Sequence, residues 1–116
     1  MIIKIDELTG RALDWAVAQC EKMEFTYPEY PGHEMFDIHY STDWSQGGPI
    51  IERNEIAIQC VYCDGVLDGW MADSKKIIDE EGMETYGPTP LIAAMRCYVA
   101  STLGDEIKIP GVLIQP

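Results

Sequence analysis

The stretch TPLIAAMRCYVASTLG, Thr89–Gly104, decides the fold. Thr89 and Pro90 form an ordinary opening for a helix and Gly104 an ordinary close, since proline at the first turn gives up a backbone N–H that would lack a partner anyway. Between them the only charged side chain is Arg96. Leu91, Ile92, Met95, Tyr98, Val99 and Leu103 make a wide apolar arc, and Ala93, Cys97 and Ala100 give the opposite side small residues. A helix apolar nearly all round needs neighbours on two sides, so it is expected at the centre of the molecule. Its lone guanidinium does not deprotonate and, once buried, needs acceptors: a carboxylate, with Asp43 and Glu52 as candidates, or several carbonyls.

Outward from that helix, IAIQCVYC (Ile56–Cys63) and VLDGWMA (Val66–Ala72) are apolar runs around Asp64-Gly65, a strong hairpin signal. At the other end of the chain, Met1–Ile5 is β-prone and Asp6 is a reasonable N-cap for a helix over Glu7–Met23. There Leu8, Ala12, Trp15, Ala16, Cys20 and Met23 fall on one face, with Arg11, Asp14, Glu21 and Lys22 on the other. Glu24–Gly32 carries two prolines and reads as irregular; Phe36–Tyr40 reads as a brief strand, and Asp73–Thr85 as an exposed loop. The cluster STDWSQGGP, Ser41–Pro49, reads as turns, with Pro49 opening a short helical turn through Arg53. Glu106–Ile109 adds an edge strand stopped by Pro110. The expected architecture is α+β: one domain over residues 1–116, with two main helices on a small antiparallel sheet containing a hairpin near 56–72.

The 116 residues suffice for one core without a staple. Twenty acids against eight bases give a net charge of −12, concentrated in Glu21–Glu84, where fifteen acids face four bases. Such a field repels phosphate backbones and anionic membranes. It disfavours direct nucleic-acid binding, so none is expected, and favours a basic partner, a cation or solubility alone. Asp6 and Glu7 interrupt the apolar start, so no signal peptide is read, and no run approaches a membrane span. Reduced thiols in a cytosol are expected.

No catalytic motif is complete. Cys60 and Cys63 look like half a zinc knuckle, but no second pair exists and residues three apart on a strand face opposite ways, so both read as small apolar side chains and no metal is expected. His39, Tyr40, Ser41 and Asp43 include a base, hydroxyls and a carboxylate, yet closeness in sequence does not make a triad. Gly47-Gly48-Pro49 lacks the length and the lysine of a phosphate loop. Trp15, Trp44 and Trp70 read as core, with Trp44 and Trp70 also placed in turn-rich sequence where a ring can serve as a binding platform.

Four blocks carry a resemblance: Leu8–Ala18, Ser41–Trp44, Gly47–Glu52 and Gly87–Arg96. With them the chain resembles the NinX-like proteins of lambdoid phages and prophages, from the first helix to Glu106. The resemblance implies a phage or prophage origin and a bacterial host cytoplasm. It implies no mechanism, and the Cys60/Cys63 pair is no part of its pattern. With no cofactor motif present, the expectation is a small acidic accessory protein that binds a host or phage protein rather than an enzyme. The alternatives are a small enzyme or ligand-binding domain with a pocket around Asp43, Trp44 and Arg96, and a DNA mimic whose carboxylates imitate phosphates. Candidate binding residues are Asp43, Trp44, Gly47, Gly48, Trp70 and Arg96.

Overall fold

A computed structural model describes residues 2–21, 38–74 and 84–111. The elements run β1 (Ile2–Lys4), a 3-10 turn (Ile5–Glu7), α1 (Gly10–Cys20), α2 (Trp44–Asn54), β2 (Ala57–Cys63), β3 (Val66–Asp73), β4 (Thr85–Gly87), α3 (Pro90–Leu103) and β5 (Glu106–Lys108). The architecture is α+β, as expected, with a third helix and a second sheet. Antiparallel β1 and β5 make a two-stranded ribbon, and β2-β3-β4 make a three-stranded antiparallel sheet.

The helix α3 is the interior spine. Every residue from Ala93 to Ala100 is buried, along with Leu91. Thr89 caps it by accepting from the Ile92 N–H at 3.1 Å. The three-stranded sheet covers one side. Ile58, Cys60, Trp70, Ala72 and Thr85 alternate onto the face turned toward α3, and Ala72 and Thr85 are buried there. Thr85 fastens the two layers, its hydroxyl donating to the Ala93 carbonyl at 2.8 Å. Gly87 permits the close approach: a Cβ there would stand 2.7 Å from the Ala93 nitrogen. The hairpin turns at Asp64-Gly65, both at positive φ, as that dipeptide predicts.

On the other side α1 packs with Leu13, Ala16 and Val17 wholly buried. It begins later than the periodicity predicts. Thr9 occupies the N-cap, and Asp6 lies in the preceding 3-10 turn. Asp14 does not belong to a polar face; it is 5% exposed and accepts the Ser41 N–H at 2.8 Å. The helix is enclosed over more of its circumference than an amphipathic surface helix, because the 38–41 segment folds over the Asp14 side. Burial holds the Asp14 carboxyl above its ordinary pKa, against the Ser41 hydrogen bonding and the nearby His39 that lower it. An acid whose folded pKa is raised contributes stability that is complete below the unfolded value, near pH 4, and lost as pH rises through the folded value. Asp14→Asn keeps the acceptor for Ser41 and removes this titration. Its stability relative to wild type should therefore be higher at pH 7 than at pH 4 in parallel urea titrations; an advantage that does not change with pH contradicts the assignment.

The turn cluster is a full helix. α2 starts at Trp44, so Pro49 lies inside it at the sixth position instead of opening a later turn. The Pro49 ring therefore sits beyond the first helical turn, where a proline removes an intrahelical hydrogen bond. No strand forms over 38–40; the remainder of that expected strand, the irregular 24–32 stretch and most of the 73–85 loop fall outside the described residues. The C-terminal ends of α1 and α2 meet the side of α3 where Glu21 accepts from both Arg53 and the Tyr98 hydroxyl. Burial, then the Glu21 hydrogen bond, pushes the Tyr98 pKa up to about 12. Among the described residues no helix is long and apolar enough to cross a membrane.

Candidate functional site

Arg96 is 8% exposed and is held by carbonyls, not by a carboxylate. Its Nε donates to the Leu8 carbonyl at 2.8 Å, and its Nη1 to the Tyr86 carbonyl at 2.7 Å. Neither Asp43 nor Glu52 is an acceptor. The reason is placement: Arg96 leaves α3 toward the 3-10 turn and β4, whereas Asp43 starts a helix on another side of the spine. Burial lowers the guanidinium pKa, and the charge of Asp6 opposes that shift.

A hollow of about 460 Å³ opens over this arginine, walled by Trp70, Tyr86, Pro88 and Val61 with Asp6 and Asp68. Asp68 is placed there by a bulge. Val61 pairs with Gly69 and Tyr62 with Leu67, so Asp68 has no opposite residue. An extra residue in one strand re-aims its side chain.

A second hollow of about 410 Å³ adjoins the first, since Asp6 and Tyr86 line both. It lies between β4 and the β1–β5 ribbon, and among the described residues Asp6, Glu84, Asp105 and Glu106 line it with one cation, Lys4. Tyr86, half exposed, donates its hydroxyl to Glu84 at 3.0 Å at the boundary. Pairing of Lys4 with Glu106 brings the two chain ends together there. Along the sequence these acids are divided between the ends and the middle, and a count by segment hides their convergence.

The remaining candidates lie apart from this face. Asp43 caps α2: its Oδ1 accepts from the Ser45 N–H at 2.9 Å and the Ser45 hydroxyl at 2.6 Å. Those bonds hold its carboxyl below the ordinary range. Trp44 is 52% exposed and not core; it borders a smaller hollow with Ser41, Thr42 and Pro90–Ile92. Gly47 is buried against α3, and Gly48 has open space where a Cβ would be. Of the six residues chosen from sequence, only Trp70 and Arg96 meet in one hollow, and the pocket around Asp43, Trp44 and Arg96 does not assemble. Of the pair read as small buried side chains, Cys60 is half-buried beside the core, whereas Cys63 is exposed at the hairpin end. Among the described residues no three His, Cys, Asp or Glu side chains stand together in a way that could hold a metal ion.

The missed residues are Asp6, Asp68, Glu84, Tyr86, Asp105 and Glu106. The one signal in the sequence was Tyr86 two residues after Glu84, ahead of a glycine and a proline. No curated protein matches the chain. The family model described as bacteriophage P22, NinX, matches residues 4–102 and so spans every element from the end of β1 to α3. The chain belongs to the NinX family of bacteriophage P22.

Proposed function

We propose that the protein is a phage accessory protein of the host cytoplasm that works by binding a positively charged protein partner through the face formed by Asp6, Glu84, Tyr86, Asp105 and Glu106. The observation that carries this reading is the continuity of the two hollows, one acidic and one aromatic-walled, across Asp6 and Tyr86. A field of one sign gathered in a concave site raises the local concentration of an oppositely charged partner and speeds its docking. An exposed tyrosine at the boundary is the residue type that anchors protein interfaces. Family membership is consistent with a phage role, and partner binding is the step this proposal adds.

The test begins with tagged protein recovered from phage-infected or lysogenic cells. A retained protein counts once it is purified and titrated against the wild type and against Asp105→Asn/Glu106→Gln. The expected loss is about tenfold or more in affinity, with association slowing steeply as salt rises. A partner whose binding ignores both changes, or no retained partner, rejects the proposal.

A further inference from the structure

Resting on that reading, we infer that this face takes an extended, lysine- or arginine-containing segment of the partner, with a main-chain carbonyl on Arg96 and the basic side chains shared between the two hollows. Arg96 spends Nε and Nη1 on the Leu8 and Tyr86 carbonyls, which leaves Nη2 with no acceptor among the described residues. The side chain is more than nine-tenths buried and lines the hollow. A guanidinium keeps its charge in proteins, and this donor is not closed off from solvent, so a ligand acceptor entering the hollow can take the place of water on it.

The acceptor is a neutral one. Asp6 and Asp68 share the hollow, and Glu84, Asp105 and Glu106 line the next, so among the described residues acids outnumber the cations Lys4 and Arg96 and disfavour a phosphate or carboxylate ligand. A peptide carbonyl offers the lone pair without the charge. The same acids then suit the peptide's own cations. They do not converge as metal ligands among the described residues. Spread along a face, they match separate basic side chains better than one ion. Trp70 and Tyr86 flank the path, and a guanidinium or ammonium over the face of such a ring is attracted by its quadrupole. Because Asp6 and Tyr86 border both hollows, one continuous occupant can fill both, each of a size ordinary for a ligand site.

The experiment titrates the full chain with a six-residue peptide alternating arginine and glycine, acetylated and amidated at its ends, and in parallel with spermine, which has the cations but no carbonyl. At physiological salt the peptide is expected to saturate at one to one, at least tenfold tighter than spermine, and to move the Arg96 guanidinium nitrogen resonance in the NMR spectrum. Asp6→Asn/Asp68→Asn should weaken the peptide at least tenfold and Tyr86→Ala about fivefold. Glu52→Gln/Asp64→Asn, which removes the same charge from residues lining neither hollow, should weaken it less than twofold. Spermine binding as tightly as the peptide, an unmoved Arg96 resonance, or equal losses in the two double variants overturns the inference. If the peptide fails while a purified partner still depends on Asp105 and Glu106, the partner docks as a folded surface; the protein-binding reading stands and the extended segment is rejected.

Discussion

Arg96→Met is expected to lose about 3–5 kcal/mol of folding stability, the largest effect of any single change considered, because it leaves two carbonyls without their donor. Methionine follows the path of the arginine stem, so little packing is lost. What goes is the pair of bonds to Leu8 and Tyr86, and the first of these is fully buried. Replacing both members of a buried polar pair can be neutral, but here the acceptors are backbone and remain. Each orphaned carbonyl costs about 1–3 kcal/mol, and donors with full charge lie at the upper end. Arg96→Lys should recover part of this, since one ammonium cannot reproduce two directed N–H groups. Urea unfolding of the three proteins is the measurement; a methionine variant within about 1 kcal/mol of wild type shows that the clamp is not structural.

Two adjacent glycines should give unequal results. Gly47→Ala places a Cβ 2.6 Å from both Leu91 Cδ1 and the Tyr40 carbonyl oxygen. The leucine tip can swing aside, but the carbonyl belongs to the main chain and moves only if α2 separates from its neighbours. Overpacking of this kind costs about 1–3 kcal/mol, with a backbone obstacle at the high end. Alanine's better helix propensity returns about 1 kcal/mol, so the expected net loss is about 2 kcal/mol. Gly48 also lies within α2, with no atom of another segment within 4 Å of its added Cβ, but it directly precedes Pro49. Gly48→Ala should therefore lie within about 1 kcal/mol of wild type, because the clash between the Pro49 ring and a Cβ on the helical residue before it offsets the gain in helix propensity. Thermal unfolding of the pair resolves a gap of about 2 kcal/mol as a shift of about 8 °C. Equal shifts of one sign would mean that α2 does not press on α3 as described.

The elements that were legible are those whose signal is local. The α3 helix announced itself through its caps and its uncharged length, and the hairpin through Asp64-Gly65. The strand at Glu106–Lys108 was legible because Pro110 ends it. α2 was misread as turns because serine, glycine and proline are weak helix formers, and what holds them helical is the Asp43 cap together with packing on α3. Asp14 was misplaced for a related reason. A helix period shows which residues share a face, but not that residues 38–41 will return to cover the polar one.

By itself the sequence determined that a lone guanidinium would be enclosed by an apolar helix and would need carbonyls or a carboxylate. Charge neutralisation and hydrogen bonding are demands written into residue type. Only the tertiary structure decided which groups answer, because Leu8, Tyr86 and Arg96 stand 88 and 10 residues apart along the chain from the arginine outward. The same holds for the acidic face. Asp6, Glu84, Asp105 and Glu106 are neighbours because β1 pairs with β5 beside β4, and strand pairing is a long-range choice that no local pattern encodes.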